Sequence, residues 1–138
     1  MIEGVEIYPL EIKRDKRGWL TEILRGRQIG QQEQGFGQLF VTVAYPGKTK
    51  GKHYHKHKVE WFCVVSGEGL LFLRDVRTGK ERQVPMGEKN MVTVGIPPYV
   101  AHAITNPGNT PFHLVIVVSE EFNPEDPDTF PYEFPDLK

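Results

Sequence analysis

Short apolar segments, separated by glycine and proline along the whole chain, constrain the fold more than any other feature. The 138 residues include 14 Gly and 11 Pro, and the segments between them are rich in Val, Ile, Phe and Leu. Many short strands at such spacing are typical of an all-β sandwich or barrel. No central stretch keeps a 3.6-residue apolar period, so little helix is expected there. We predict strands over residues 4–12, 19–24, 38–44, 52–55, 59–65, 69–76, 91–96, 101–105 and 112–119.

Two turns and a proline-rich end complete the predicted layout. The run 66–69 (Ser-Gly-Glu-Gly) separates two apolar segments and predicts a hairpin, and 78–80 (Thr-Gly-Lys) predicts another turn. Residues 123–138 hold four prolines, which favours an extended segment over the surface or a short helical turn near 124–128. We interpret residues 1–138 as one domain, with N-terminal strands in 1–25, a barrel core at about 38–120 and an extended tail at 121–138.

The composition argues against several classes of protein. A formal net charge of -1 provides no basic field for nucleic acid. We expect no signal peptide, because no basic region precedes an apolar stretch at the start. No membrane partner is expected either, because the apolar runs are far shorter than the roughly 20 residues of a membrane helix. A cytoplasmic protein is therefore expected. The single cysteine, Cys63, lies in an apolar run, so we predict that it is a small buried hydrophobic residue.

The densest group of potential ligands has the spacing Gly47-x5-His53-x-His55-x4-Glu60-x6-Gly67. Residues two apart on a strand point to the same face, so His53 and His55 project together. A short turn would then bring Glu60 back on the neighbouring strand, within about 5 Å of them. His57 and His113 lack such partners, and we interpret them as ordinary polar residues.

A later segment adds a third histidine to this group. His102 follows a turn stiffened by Pro97 and Pro98, and Asn106 comes four residues later. In a small barrel this strand can close against the first histidine pair. Three imidazoles and one carboxylate suit Zn, Fe, Mn, Ni or Co and do not suit Mg or Ca. The sequence therefore predicts a metal site formed by His53, His55, Glu60 and His102.

These two motifs resemble those of the cupin superfamily. The spacing Gly-x5-His-x-His-x4-Glu-x6-Gly and the later Pro-x4-His-x3-Asn are the superfamily's two sequence signatures, with Tyr99 standing where glycine is usual. The resemblance implies a single cupin domain, which is a double-stranded β-helix or jelly-roll barrel. It does not fix the activity, because cupins include dioxygenases, isomerases, storage proteins and regulators.

Further segments are similar to nucleotide-sugar epimerases. Asp15-x-Arg17-Gly18-x3-Glu22 resembles a signature of the dTDP-4-dehydrorhamnose 3,5-epimerases, as do residues 51–54 and 75–77. A stronger resemblance, over about residues 10 to 135, is to the C-terminal cupin domain of capsular polysaccharide assembling proteins. It includes the unusual run 121–129 (Glu-Phe-Asn-Pro-x-x-Pro-Asp-Thr). This resemblance implies bound zinc and 3-epimerisation of a UDP-linked 4-keto-6-deoxy sugar. We expect a free-standing epimerase module, with a separate reductase acting in the same pathway.

The resemblance leaves two roles open for His53. In metal-free deoxysugar epimerases the matching histidine is the catalytic base, whereas a metal-bound imidazole has no free lone pair. If metal is present, the base must come from Lys52, Tyr54, His57 or Glu22. The tyrosine acid of the 3,5-epimerases would fall near Val115 or Ile116, which offer no proton donor. Our catalytic candidates are His53, His55, Lys52 and Tyr54.

The substrate-binding candidates are mainly basic residues that suit a diphosphate. They are Arg17, Glu22, Lys50, Arg77 and Asn106. Trp19, Trp61 and Tyr45 are candidates for stacking on a base or sugar, although core packing suits Trp61 equally well.

The leading hypothesis is an isomerase that epimerises C3 of a nucleotide-linked 4-keto-6-deoxy hexose through an enolate, in deoxysugar or surface polysaccharide biosynthesis. A dTDP-sugar 3,4-ketoisomerase or 3,5-epimerase, an iron oxygenase, and a non-catalytic sugar-binding or metal-binding cupin are the alternatives. Barrels of this class often pair to cover edge strands, so we expect a homodimer, with the N-terminal strand crossing to the partner.

Overall fold

Strands dominate the computed structural model, which describes residues 1–29 and 36–137. Within those ranges the backbone forms twelve strands and one helical turn. In chain order the elements are β1 (Glu6–Pro9), β2 (Lys13–Asp15), β3 (Gly18–Leu20), α1 (Gly26–Ile29), β4 (Gln38–Ala44), β5 (Thr49–Tyr54), β6 (Glu60–Ser66), β7 (Glu68–Asp75), β8 (Glu81–Gly87), β9 (Val92–Ile96), β10 (Val100–Thr105), β11 (Phe112–Val118) and β12 (Phe130–Pro131).

The strands form two five-stranded antiparallel sheets and one small hairpin. The first sheet has the order β1-β9-β6-β11-β4 and the second the order β12-β5-β10-β7-β8, while β2 pairs only with β3. The chain passes repeatedly from one sheet to the other, as it does between β5 and β6. This arrangement is the double-stranded β-helix of a cupin barrel and confirms the predicted all-β class.

Side chains from the inner faces of both sheets form the core. Strand β7 alternates between partly exposed and buried residues, so Leu71 and Leu73 point inward. Strand β11 contributes Phe112 and Leu114 from the other sheet, and all four of these side chains are almost fully buried. Burying an apolar side chain of this size stabilises a fold by about 1.5–3 kcal/mol. Three residues of this core, Phe62, Ile116 and Val118, also line a cavity between the two sheets.

The predicted hairpin at residues 66–69 is wrong, because the strands on either side belong to different sheets. Strand β6 pairs with β9 and β11, whereas β7 pairs with β8 and β10. Gly67 makes this sheet-to-sheet crossing with a φ of 80°. A Cβ there would lie 2.7 Å from the carbonyl oxygen of Pro111, so a larger residue does not fit. The turn predicted at 78–80 does join the paired strands β7 and β8.

Several strand bounds differ from the predicted ones. Strand β8 was not predicted, and β5 begins at Thr49 instead of residue 52. The β8 sequence has Pro85 near its middle, which argues against a central strand. Because β8 lies at the edge of its sheet, one side of its backbone needs no partner and the proline is tolerated.

The C-terminal segment runs over the barrel in mostly extended form. A turn forms near Pro124, where the backbone N–H of Asp126 donates to the carbonyl of Asn123 at 3.0 Å. Strand β12 then pairs with β5, placing Phe130 opposite Tyr54. The segment thus combines extended backbone with one hydrogen-bonded turn near Pro124. None of the helices in the described ranges is long and apolar enough to span a membrane.

Cys63 is fully buried on β6, as its apolar sequence neighbours predicted. Burial raises the pKa of its thiol to about 11, because the thiolate would lose its hydration. Such a thiol remains protonated at neutral pH and is a poor nucleophile.

Candidate active site

A cavity of about 310 Å³ opens between the two sheets. It is large enough for a small ligand. Its wall on the first sheet comes from β4, β6 and β11, and its wall on the second sheet from β5 and β10. The lining residues are Gln38, Phe40, Thr42, Lys50, Gly51, His53, His55, Lys58, Glu60, Phe62, His102, Ile116, Val118, Glu120, Phe122 and Thr129.

Pairing of β5 with β10 brings the first and third histidines together. His53 lies opposite His102 in the strand register, and their ring centroids are 4.8 Å apart. Gly51 allows this approach, because a Cβ there would lie 2.8 Å from the carbonyl oxygen of His102. The prediction that the two motifs close against each other is therefore confirmed.

Glu60 enters the site from the opposite sheet, not from a strand next to β5. After His55 the chain crosses to the first sheet, where Glu60 begins β6. Its Oε1 atom lies 2.8 Å from Nε2 of His55 and 3.0 Å from Nε2 of His102. One ligand atom from each of Glu60, His53, His55 and His102 can be chosen so that all four lie within 4.8 Å of one another. The predicted convergence is present, although the expected neighbouring-strand geometry is wrong.

The loop after β5 is held by Asp128, which lies about 70 residues further along the chain. Its carboxylate accepts the backbone N–H groups of Lys56, His57 and Lys58 at 2.7, 3.0 and 3.0 Å. Its backbone carbonyl accepts a hydrogen bond from Nδ1 of His55 at 2.6 Å. This contact directs Nε2 of His55 toward Oε1 of Glu60 at 2.8 Å, and in the neutral form of the ring it leaves the lone pair on Nε2.

His102 provides a direct test of whether these residues fit a metal. Its Nδ1 atom lies 3.1 Å from the carbonyl oxygen of Val100 and donates to it, which leaves the lone pair on Nε2. That Nε2 atom is buried, lies near Glu60 and makes no hydrogen bond of normal geometry. When both rings are neutral, lone pairs of two imidazoles and a carboxylate face one point, which is repulsive unless a proton or a metal cation lies between them. The donor set therefore fits a divalent metal bound by nitrogen and oxygen.

The pKa values in this group follow from burial and from the charges nearby. Burial, followed by the neighbouring His102 and His55, lowers the pKa of His53 to about 4, so the ring is neutral at pH 7. Burial opposes the charged form of His55, but its contact with Glu60 outweighs this and raises its pKa. Burial also opposes ionisation of Glu60, yet the His102 and His55 imidazoles hold the pKa of this carboxyl well below its usual range. Glu60 is thus an anion at neutral pH, which favours a cation beside it.

Two of the predicted catalytic residues lie outside the cavity. Tyr54 is on the outer face of its sheet, where its ring stacks on Phe130 at 5.5 Å and contacts Tyr132. Lys52 has a φ of 65° and its carbonyl accepts the N–H of Tyr132, so it lies beneath the C-terminal segment. Both alternate with His53 along β5 and face away from the cavity. We therefore correct their assignment, because neither reaches the site within this chain.

The predicted contacts from the N-terminal hairpin also lie outside the cavity. Arg17 is exposed and pairs with Asp15 at 2.6 Å, and Glu22 pairs with Arg25 at 2.8 Å. These ion pairs line separate surface hollows. The β2–β3 hairpin packs through no buried residue, since all six of its strand residues are exposed. Arg17 and Glu22 therefore reach no substrate in the cavity of their own chain.

Lys50 and Arg77 have different positions. Lys50 lies at the cavity wall, where its Nζ donates to Oγ1 of Thr42 at 2.7 Å. Arg77 instead lies over the ring of Tyr99 and 3.6 Å from Asp75, outside the cavity lining. Tyr99 has a φ of 66°, so it adopts the left-handed conformation that glycine usually provides in this motif.

Asn106 has a structural role in place of the predicted substrate contact. Its side-chain nitrogen donates to the carbonyls of Ala44 and Thr110 at 3.0 and 2.9 Å. Its Oδ1 accepts the N–H of Gly108 at 2.9 Å. The buried amide holds the turn before β11, and Asn106 does not line the cavity.

The aromatic stacking candidates lie away from the cavity lining. Trp61 is buried in the core, which is the second of the two roles considered for it from the sequence. Trp19 and Tyr45 are exposed. Ile116 does line the cavity, so the position that resembles the tyrosine acid of the 3,5-epimerases offers no proton donor there.

Two charged residues in the cavity were not predicted from sequence. Lys58 is buried, donates from Nζ to the carbonyl of Pro127 at 2.9 Å and lies over the ring of Phe122. Glu120 lines the cavity and contacts Nδ1 of His57 at 2.6 Å. The alternation of Ile116 and Val118 toward the core was the one available signal, because it continues to Glu120.

Fold and site together define this chain as a cupin barrel with a centre of three histidines and one carboxylate. The chain belongs to the family of the polysaccharide biosynthesis C-terminal domain, which matches residues 13–130. It is 31% identical over 133 residues to the spore coat polysaccharide biosynthesis protein SpsL of Bacillus subtilis, covering 93% of this chain and 87% of that protein.

A second relative carries the domain as part of a longer chain. The UDP-2-acetamido-2,6-beta-L-arabino-hexul-4-ose reductase of Pseudomonas aeruginosa is 33% identical over 124 residues, which is 89% of this chain and 31% of that protein. The present chain thus spans about a third of that relative.

Solved structures agree with the assignment of the fold. The capsular polysaccharide assembling protein CapF of Staphylococcus aureus is 35% identical and superposes with a TM-score of 0.69, covering 92% of this chain and 35% of CapF. ChmJ, a 3'-monoepimerase of Streptomyces bikiniensis, superposes with a TM-score of 0.84 over 98% of this chain and 77% of its own. At 24% identity the likeness to ChmJ supports the fold alone. The resemblance indicated by the sequence motifs is confirmed at the level of family and fold.

Proposed function

We propose that this chain is an isomerase that epimerises C3 of a nucleotide-linked 4-keto-6-deoxy hexose in polysaccharide biosynthesis. The observation that carries the proposal is the convergence of His53, His55, Glu60 and His102 in a cavity of about 310 Å³. Family membership and the polysaccharide role in the name of SpsL support the pathway. The name of the Pseudomonas relative, a UDP-linked hexul-4-ose reductase, supports a nucleotide-linked 4-keto sugar.

The chemistry requires stabilisation of negative charge on an oxygen. A 4-keto group acidifies the hydrogen on C3, because the carbanion formed there is delocalised as an enolate. When bound by His53, His55, Glu60 and His102, a divalent metal supplies Lewis-acid polarisation of the keto oxygen. The low dielectric of a buried cavity makes such electrostatic stabilisation stronger than it is in water.

The chain's own residues hold and orient this centre. Asp128 and Val100 fix the rings of His55 and His102 through their backbone carbonyls. Phe62 packs edge-on against His102 at 5.4 Å and shields it from water. Lys50 and Lys58 add positive charge beside the cavity, which favours an anionic substrate.

In this proposal His53 is a metal ligand and not the catalytic base. Its neutral ring lies in the same set as His55 and His102, and neutral imidazole is the form that binds metal. Zinc suits the donor set of nitrogen and carboxylate oxygen. We retain the interpretation of one cupin domain that acts in the cytoplasm beside a separate reductase.

A homodimer remains part of the proposal. Strand β4 is at the edge of its sheet and exposes Leu39 and Val41, and the β2–β3 hairpin exposes Trp19 and Leu20. Exposed apolar edges of this kind favour pairing with another chain.

Deuterium exchange tests the proposal and separates it from its alternatives. The protein is incubated with a UDP- or dTDP-4-keto-6-deoxy hexose in deuterium oxide, and the sugar protons are followed by NMR. Deuterium at C3 alone is expected. Deuterium at both C3 and C5 would indicate a 3,5-epimerase, and a 3-keto product would indicate a 3,4-ketoisomerase. Binding without exchange would leave a non-catalytic sugar-binding cupin.

A further inference from the structure

Removal of the C3 proton needs a base in the cavity whose lone pair is not directed at the metal-ligand set. Among the described residues that line the cavity, Glu60 and Glu120 are the only carboxylates. Glu60 is held between His55 and His102 at 2.8 and 3.0 Å. Tyrosine and cysteine do not occur in that described lining, and its two lysines, Lys50 and Lys58, donate from Nζ to other residues of the chain. Glu120 is therefore the remaining carboxylate that can accept a proton.

The position of Glu120 follows from the alternation of β11. Ile116 and Val118 both point into the cavity, and Glu120 continues this face two residues later. Val118 lies opposite Glu60 in the strand register. Glu120 therefore extends beyond the metal-ligand set, on the wall formed by the first sheet.

Glu120 also has a contact that leads out of the cavity. Its Oε1 atom lies 2.6 Å from Nδ1 of His57, a residue whose side chain is 41% exposed. The other ring nitrogen of His57 lies 3.4 Å from the carboxylate of Asp126 at the surface. Asp128 also lies 3.4 Å from Nδ1 of His57, so this ring is held among three carboxylates at the rim of the cavity. The Glu120 side chain is itself 24% exposed, so a proton that it accepts can exchange with solvent.

We propose that Glu120 is the catalytic base of this cavity. This inference rests on the proposed function. The C3–H bond breaks, its proton goes to the Glu120 carboxylate, and its electron pair forms the enolate with the keto oxygen. Water then protonates the opposite face of C3, and the proton held by Glu120 neutralises the hydroxide that remains. The products are the C3 epimer and an unchanged enzyme.

Substitution of Glu120 by its neutral isostere tests this role. Glu120→Gln is compared with wild type and with Glu121→Gln, which alters an exposed carboxylate one residue away. The readouts are the rate of deuterium entry at C3, the dissociation constant of the nucleotide sugar, the zinc content and the thermal unfolding midpoint. A general base contributes about 10²–10⁴-fold to a rate. We expect Glu120→Gln to slow exchange at least 100-fold while binding, zinc content and folding are kept, and Glu121→Gln to match wild type.

Other outcomes would overturn the inference in distinguishable ways. Exchange by Glu120→Gln at the wild-type rate would remove Glu120 as the base and leave the proposed function intact. If wild type binds two zinc ions per chain and Glu120→Gln binds one, Glu120 would be a metal ligand together with His57 and Asp128, and not a base. A wild-type protein that binds the sugar without exchange would overturn both proposals. If Glu120→Gln fails to fold, Glu120→Asp is used instead, because its shorter side chain withdraws the carboxylate. Exchange at the wild-type rate by a folded Glu120→Asp variant would count against the role.

Discussion

His53 and His102 lie directly opposite each other across two paired strands, with their rings 4.8 Å apart and nearly perpendicular. Forty-eight residues of sequence separate them. The pairing of β5 with β10 makes them neighbours, and Gly51 allows the backbones to approach. The candidate centre is therefore built into the framework of the barrel, since two of its ligands come from adjacent strands.

Glu60→Gln should weaken metal binding strongly, because the carboxylate is the only anion in the set of four. Loss of a supporting residue around a metal commonly costs about 10–100-fold in affinity, and loss of the anionic ligand should cost at least as much. Zinc per chain is measured by mass spectrometry after dialysis. Glu3→Gln, which alters an exposed carboxylate, is the control. Full zinc retention by Glu60→Gln would contradict the assignment.

Asp128→Ala should destabilise the protein by about 3 kcal/mol, because three backbone N–H groups lose their acceptor. Urea unfolding gives the free energy of unfolding. Asp126→Ala removes a neighbouring exposed carboxylate and should cost less than about 1 kcal/mol. Equal effects of the two substitutions would show that Asp128 does not hold the loop.

Acid should remove this contribution of Asp128. Burial alone raises the pKa of its carboxyl, but the N–H donors of Lys56, His57 and Lys58 outweigh it, and the pKa lies below its usual value. A carboxyl whose pKa is lower in the folded state than in the unfolded state stabilises the protein at pH values above the unfolded-state pKa. This stabilisation is lost as the pH falls through the folded-state pKa. The stability difference between wild type and Asp128→Ala should therefore shrink below about pH 4. A difference that stays constant from pH 7 to pH 3 would contradict this.

Asn106→Ala should destabilise the fold without weakening substrate binding. The substitution leaves two backbone carbonyls and one N–H without their partners, at a cost of about 2–3 kcal/mol. Thermal unfolding and calorimetric titration with the nucleotide sugar give the two readouts. Asn109→Ala, in the same exposed turn, is the control. A loss of affinity with unchanged stability would restore the predicted substrate contact.

Lys50→Ala should raise the dissociation constant of an anionic nucleotide sugar about 10-fold, because a hydrogen bond to a charged group contributes about 1.5–3 kcal/mol. Lys48→Ala removes a nearby exposed charge that does not line the cavity. Calorimetric titrations of both variants give the comparison. Equal dissociation constants for the two variants would mean that Lys50 makes no contact with the ligand.

Local sequence rules predicted the histidines well. The two-residue period of a strand places His53 and His55 together, and the second motif supplies His102. The Gly/Pro spacing predicted an all-β barrel because each short apolar segment can bury only one face. The side-chain alternation could also have excluded Tyr54, which lies between His53 and His55. It could not have excluded Lys52, because the register of β5 shifts there and Lys50, two residues earlier, does line the cavity.

Long-range contacts account for what the sequence could not predict. The loop between β5 and β6, which carries the chain across to Glu60 on the opposite sheet, is held by Asp128, about 70 residues away. Lys58 belongs to the cavity because Pro127 and Phe122 of the C-terminal segment hold it there. The role of Asn106 was missed because it depends on a contact with Ala44 of β4, which is 62 residues away, as well as on Gly108 and Thr110 of its own turn.

The central claim is that His53 binds metal and is not the base. It is tested by measuring deuterium entry at C3 with native protein, with protein stripped by a chelator, and with stripped protein given one equivalent of zinc. Ligation predicts that stripping abolishes exchange, that one zinc per chain restores it, and that the nucleotide sugar remains bound throughout. Undiminished exchange by fully stripped protein would contradict the claim, because His53 would then be free to act as the base.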